Sequence, residues 1–209
     1  MASASITLGR GIINPTFICD THGLPTLVQS VWSKDKRFKR IGENSGGHTA
    51  KGGFGTVFQG FDELTQRNVF IKRQDSGGNA AARETACYNM LEAFKHPNII
   101  EMYGIWTAPH KNKNYLYIAM EACSTTLWYY IGVDNPIAAR NFKPTGGPEA
   151  IYAGVLAAAR HLHDRGVTHG DLSLSNVLIS PSGEPKVADF GTMTAHTIMT
   201  EEKLSLIHI

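Results

Sequence analysis

Cysteine is scarce in this sequence, charge of the two signs nearly cancels, and no long apolar run occurs. Three cysteines, Cys19, Cys87 and Cys123, are odd in number and widely spaced, which argues against a disulfide framework and fits a reducing compartment. Twenty basic against 18 acidic residues leave a net charge of +2, too little to attract nucleic acid or an anionic membrane surface. No stretch approaches the roughly 18 apolar residues that a membrane-spanning helix needs. The amino terminus MASASITLGRGIINP has no basic leader, and Arg10, Asn14 and Pro15 interrupt any apolar core, so no signal peptide is expected. A cytoplasmic location is the expectation, with the nucleus equally compatible. What is present is ordinary globular composition, 42% hydrophobic and 18% charged over 209 residues, enough for one domain or two small lobes.

Residues 1 to about 40 hold short apolar pieces broken by Gly and Pro, then the basic cluster Lys34, Lys36, Arg37, Lys39 and Arg40, read as a solvated face. From Ile41 the pattern is strand-like: TVFQGF and NVFIKR, then a helix over Ala80 to Phe94 ended by HPN, then IIEMYGIW and YLYIAME. A short helix is expected to start within 124–131, and NPIAARNFKPTGGP reads as a long surface loop. Glu149 to Arg165 predicts a helix with Ile151, Val155, Leu156, Ala159 and Leu162 on one face and Gly166 as its stop. Short strands follow at NVLI and PKVAD. The order, about five strands with one helix and then mostly helix, predicts an α+β chain of two lobes with a cleft between them.

Three pieces carry chemistry. AKGGFGTV, residues 50–57, is a Gly-rich loop whose backbone N–H groups can approach phosphate oxygens. No helix follows it, as a dinucleotide fingerprint requires, and it lacks the Gly-Lys-Ser/Thr of a Walker loop. Lys72 closes the strand VFIK, and Glu84 falls on the helix stripe of Tyr88 and Leu91, where a carboxylate needs a cation partner. VTHGDLSLSNVLI followed by KVADFG offers Asp171 for a hydroxyl proton, with Asn176 and Asp189 as oxygen ligands of the kind Mg²⁺ prefers.

Taken in order, the Gly-rich loop, VFIK, the helix Glu, HPNI, YLYIAMEAC, LHDRGVTHGD, the Asn and DFG resemble the eukaryotic protein kinase domain from about Ile41 to Gly191. The resemblance implies a two-lobe protein kinase-like fold, with a complete small β-rich N-lobe holding one helix and an incomplete helical C-lobe. It divides the chain into an extension (1–40), the N-lobe (41–122), a partial C-lobe (123–203) and a tail (204–209). It implies ATP and Mg²⁺ as cofactors and a protein substrate, with no nucleic acid or membrane partner and no legible regulatory subunit. Ala50, Gly52, Gly53, Phe54 and Gly55 would cover the phosphates, and Val57 would pack on adenine. Lys72 would hold the α/β-phosphates and pair with Glu84. Met120 would be the gatekeeper, and backbone groups of Glu121 and Cys123 would meet the adenine edge. Asp171 would accept the acceptor's proton, and Asn176 and Asp189 would hold Mg²⁺.

The departures bear on activity. Ala50 stands for the loop's first glycine, Gly170 for the arginine before the catalytic Asp, and Ser173 for the lysine two residues after it. Position 175, also Ser, lacks the arginine of tyrosine kinases, so a Ser/Thr kinase is expected rather than a Tyr kinase. Regulation by a phosphate docked on that first arginine is not expected, although Thr192, Thr194, Thr197 and Thr200 follow DFG. A pseudokinase scaffold and, further off, a small-molecule kinase stay open beside the active protein kinase. The resemblance also implies an APE motif and large helices after Gly191, where eighteen residues remain. The final LSLIHI is one translation of CTGTCTCTTATACACATC, which looks like a library transposon adapter, so the reading frame is expected to have run into adapter and the true gene to continue past about Lys203. The 209-residue chain expressed alone is therefore expected to be poorly soluble and to turn over no ATP, and a monodisperse, active preparation would refute this.

Overall fold

The computed structural model describes residues 6–8, 11–13, 27–31, 37–41, 49–52, 55–77, 79–93, 95–131 and 146–195. The loop reading of NPIAARNFKPTGGP falls mostly outside these residues, as do Lys34, Lys36 and the LSLIHI tail.

Strands β1 (Ile6–Leu8) and β2 (Gly11–Ile13) pair as a small hairpin. The main sheet is antiparallel, in the order β3 (Leu27–Val31), β4 (Phe38–Ile41), β6 (Gly55–Asp62), β7 (Arg67–Asp75), β9 (Lys113–Glu121), β8 (Met102–His110), with β5 (Thr49–Gly52) also on β6. Helix α1 (Asn79–Ala93) connects β7 to the β8–β9 hairpin. The strands reach back into residues assigned above to an extension, since β3 and most of β4 precede Ile41.

The second lobe begins with β10 (Thr125–Thr126) and α2 (Leu127–Tyr130), which Thr126 caps by accepting the N–H of Tyr129 at 3.1 Å. Helix α3 (Gly147–His163) carries Pro148 in its first turn, where a missing N–H costs nothing. After it come β11 (Val167–Thr168), β12 (Val177–Ile179), β13 (Pro185–Val187) and β14 (Thr194–Ala195). β10, β12 and β13 form one small sheet, and β11 pairs with β14. Among the described residues no helix is long and apolar enough to cross a membrane.

The apolar side of α3 differs from the expected one. Ile151 and Leu162 are buried as expected, but Gly154 and Ala158 complete the stripe, while Leu156 is exposed. Small size decides this. A Cβ on Gly154 would lie 2.5 Å from the Pro185 ring and 2.8 Å from the Asn98 amide, so α3 approaches β13 closely where it has no side chain.

HPN ends α1, but the strand expected to start at Ile99 starts at Met102. Ile99 and Ile100 are drawn instead to the second lobe. Val187 donates its N–H to the Asn98 carbonyl (2.8 Å), Ile100 donates to that of Val187 (2.9 Å), and the Asn98 amide donates to that of Pro185 (3.1 Å). One core consequently crosses both lobes, from Phe70 through Ile99 and Ile100 to Leu162, Val187 and Phe190.

Of the basic cluster read as a solvated face, the three described members, Arg37, Lys39 and Arg40, are engaged with neighbouring side chains. Arg37 donates from Nε and Nη2 to the two oxygens of Asp62, at 2.9 and 2.7 Å. Lys39 pairs with Glu63, and the Arg40 guanidinium lies over the Phe58 ring. Asp62 is 1% exposed and also accepts from the Thr65 hydroxyl and the Leu64 N–H. Burial works to raise its carboxyl, but these donors outweigh it and hold Asp62 below the ordinary 3.8. This contribution is therefore complete near neutrality and is lost as pH falls below that ordinary value. Asp62→Ala should cost about 2 kcal/mol, discounted for the partial exposure of Arg37, and lower the midpoint of urea unfolding without changing its slope.

Candidate active site

Strand alternation places Phe70, Lys72 and Gln74 on one side of β7, and in register Lys72 lies between Val57 of β6 and Ile118 of β9. Val57, Phe70, Ile118 and Met120 line a cleft between the lobes, and Leu178 and Ala188 line it from the other side.

Lys72 is 7% exposed. Its Nζ forms an ion pair with Glu84 Oε1 and a second one, at 2.9 Å, with Asp189 Oδ1. Burial works against the charge, yet the Glu84 and Asp189 carboxylates outweigh it and hold the ammonium above its ordinary value. Glu84 is itself buried, one and a half turns into α1, as expected of a carboxylate on the inward stripe. Asp189 has φ +66, a left-handed conformation uncommon outside glycine. That turn sends its carboxylate to Lys72 while Phe190, 1% exposed, goes into the core beside the His169 ring.

Asp171 and Asn176 meet across their polar turn. Asn176 Nδ2 donates to the Asp171 carbonyl (2.8 Å) and to its Oδ2 (3.0 Å), which uses both amide hydrogens and leaves Oδ1 open. The Asn176 carbonyl accepts the N–H of Ala188 at 2.8 Å, which ties this turn to Asp189. His169 braces it from below. Its Nε2 lies 3.0 Å from the Ala188 carbonyl, and its Nδ1 accepts the Asp171 N–H at 3.3 Å. A proton on Nε2 with Nδ1 free satisfies both contacts.

The other expected residues fall as follows. Gly55, Val57 and Met120 line the cleft. Ala50 and Gly52 lie in β5, in register with Val57 and Gly55, whereas Gly53 and Phe54 lie outside the described residues. Glu121 and Cys123 follow Met120 without lining the cleft. The Glu121 N–H is spent on the Glu101 carbonyl (2.8 Å), and its carboxylate pairs with Lys186 (3.2 Å). Cys123 is a free thiol, pushed well up by burial. Phe70, Leu178 and His169 were not singled out from the sequence as site residues. The period of two from Lys72 and from Asn176 marks the first two, and nothing local marks His169.

The donor set suits magnesium. Asp189, Asp171 and the free Asn176 Oδ1 are hard oxygens in a cleft where, among the described lining residues, Lys72 is the one cation against Glu84, Asp171 and Asp189. No group of three His, Cys, Asp or Glu forms a cage among the described residues.

The two-lobed chain thus sets a buried Lys–Glu–Asp junction in one cleft with an Asp–Asn pair. The protein kinase domain family matches residues 45–205, and the chain belongs to that family. It is 31% identical over 149 residues to a probable serine/threonine-protein kinase of Dictyostelium discoideum, covering 68% of this chain and 21% of the relative. It is 33% identical over 149 residues to serine/threonine-protein kinase PLK4 of Drosophila sechellia, covering 69% and 18%. Against mitogen-activated protein kinase mpkC of Aspergillus clavatus it is 30% identical over 145 residues, covering 67% and 35%. The chain thus spans between about a fifth and a third of these relatives.

Burial, opposed by the Ala188 carbonyl and by Asp189 and Asp171, holds the His169 imidazole below its ordinary 6.5. The unfolded chain then binds the extra proton, so stability is full above that value and falls as pH drops below it. Unfolding midpoints measured from pH 7.5 to 5 should decline, and His169→Gln should flatten that decline while lowering the plateau.

Proposed function

We propose that the protein is an ATP-dependent protein kinase, of Ser/Thr rather than Tyr specificity, which moves the γ-phosphoryl of Mg·ATP to a hydroxyl on a protein substrate. The activity is proposed for the whole protein, of which these 209 residues carry the nucleotide cleft. One observation carries the reading: the buried Lys72 ammonium is shared by Glu84 and by Asp189, 117 residues away along the chain. A cation built into that position costs several kcal/mol of desolvation unless paired. With Glu84 fixing its orientation, it can meet the α- and β-phosphates.

The remaining roles follow from position. Val57, Met120, Leu178 and Ala188 supply apolar walls for adenine. By the family resemblance, the Gly-rich loop would offer backbone N–H groups to the phosphates, and of its described glycines Gly55 lines the cleft. Asn176 Oδ1 and Asp189 would hold Mg²⁺, which when bound neutralises charge on the β- and γ-oxygens. Asp171, kept in place by Asn176, orients the acceptor hydroxyl and takes its proton as the new O–P bond forms and the bond to the β-phosphate oxygen breaks.

A second reading, a nucleotide-binding pseudokinase, draws on the same cleft. Ser173 lines it where a cation would meet the transferred phosphoryl, and Lys72 is the one cation among the described lining residues. Mg²⁺-dependent phosphorylation of a generic protein substrate by the full-length product separates the two. The kinase reading expects activity that falls by about 10²–10⁴-fold in Asp171→Asn and is lost in Lys72→Met. Binding of ATP without transfer supports the pseudokinase, and transfer to a small alcohol or aminoglycoside supports a small-molecule kinase. Ser173→Lys should raise kcat, by up to about 10²-fold, because it adds a positioned charge where negative charge develops.

A further inference from the structure

We infer that the stacked rings of His96 and His161 form a pH-sensitive joint between the lobes: with His96 neutral, its Nδ1 anchors Asn98, the residue that binds the first lobe to β13, and a proton on that nitrogen undoes the anchor. The inference stands whether the cleft transfers phosphate or only binds nucleotide.

The joint is built across two elements. His96 lies in the HPN turn after α1, and its Nδ1 accepts the Asn98 N–H at 3.1 Å. Its ring meets that of His161, in the last turn of α3, with centroids 4.7 Å apart and planes tilted by 46°. His161 Nδ1 in turn lies 3.2 Å from Arg165 Nη1, and Arg165 also donates to the His161 carbonyl at 3.1 Å. A guanidinium can only donate, so both imidazoles accept at Nδ1, and each neutral ring carries its proton on Nε2. A second proton on His96 has one place to go, Nδ1, and there it sets a donor against the Asn98 N–H.

The surrounding charges oppose that proton. From α3 and the residues just past it come His161 and Arg165, from β13 comes Lys186, and the turn itself carries Lys95. The acids nearby are already paired: Glu101 with Lys95 at 3.7 Å, and Glu121 of β9 with Lys186 at 3.2 Å. Burial, with His161, Arg165 and Lys186, holds the His96 imidazole below its ordinary 6.5. The anchored state is therefore complete above that value and gives way as pH falls below it.

What gives way is the attachment to β13. The Asn98 carbonyl accepts the Val187 N–H (2.8 Å), the Asn98 amide donates to the Pro185 carbonyl (3.1 Å), and Ile100 donates to the Val187 carbonyl (2.9 Å). Ile100 and Met102 line the cleft and also a second pocket, bounded by His96 and Lys186. Loosening at His96 thus reaches a wall of the cleft.

Hydrogen exchange on the full-length gene product at pH 7.5 and 5.5, each referred to an unstructured chain at the same pH, tests this. The Ile100 and Val187 amides should lose at least about tenfold in protection on acidification, and amides in the centre of β7 less than about threefold. His169 lowers overall stability in the same direction, so the local contrast is the readout rather than the unfolding midpoint. No loss, or an equal loss in β7, overturns the inference, and this measurement needs no variant to fold. Nitrogen-15 NMR at pH 7.5 should find His96 Nδ1 without a proton, and a protonated Nδ1 overturns the inference as well. His96→Asn places an oxygen near the Nδ1 position, able to accept from the residue two places on at any pH. It should match wild type at pH 7.5 and keep its protection within about threefold at pH 5.5. His96→Ala, with no acceptor, should be poorly protected at both. A wild-type acid loss in His96→Asn, or wild-type protection at pH 7.5 in His96→Ala, overturns the inference.

Discussion

An ammonium group 7% exposed between two lobes is the constraint on which the rest of this structure depends. Taken out of water alone, such a charge is costly by several kcal/mol, and its attraction to one carboxylate does not always repay the loss. Here two carboxylates reach it from elements with no other reason to meet. Glu84 fixes the rotation of α1 about its axis, because one face of the helix must present the acid. Asp189 fixes the turn after β13, because its carboxylate points to the cleft only with the backbone at φ +66. The same turn drives Phe190 into the core shared by the two lobes. Helix, strand and the turn at Asp189 thus converge on one buried electrostatic junction.

Around that junction the polar contacts are arranged in tiers. Asn176 holds Asp171, His169 holds the backbone beneath Asp171, and Ala188 is bonded to both Asn176 and His169. Of these three, Asn176 and Ala188 line the cleft themselves, and His169 braces them from behind it. Among the described residues lining the cleft, three acids, one base and two serines leave an excess of negative charge that favours a cation there.

Much of the site was legible because its residues violate local expectation. A lysine ending an apolar strand and a glutamate on the inward stripe of the next helix each demand a partner, and each supplies the other's. The Asp–Asn–Asp spacing was legible by family resemblance. Less visible were features set by size or by distant pairing. The buried side of α3 was misjudged at Leu156 because hydrophobicity ranks Leu above Gly and Ala, while close approach to Pro185 selects the small residues. Ile99 and Ile100 read as the start of a strand, since nothing in their neighbourhood announces that Val187 will take their backbone bonds. Arg37 looked like one of five surface cations because its partner, Asp62, is 25 residues on. His169 reads as part of a motif, but its bracing role needs the fold.

Among the described residues, two sets of backbone hydrogen bonds tie the first lobe and the chain leaving it to the same hairpin of the second. Asn98 and Ile100 attach to β13 through Pro185 and Val187, while the chain leaving β9 attaches to β12 where Ser124 donates its N–H to the Ile179 carbonyl at 2.7 Å. The hairpin that takes both attachments carries Leu178 and leads into Ala188, so the floor of the cleft belongs to the same two strands that receive the backbone of the first lobe.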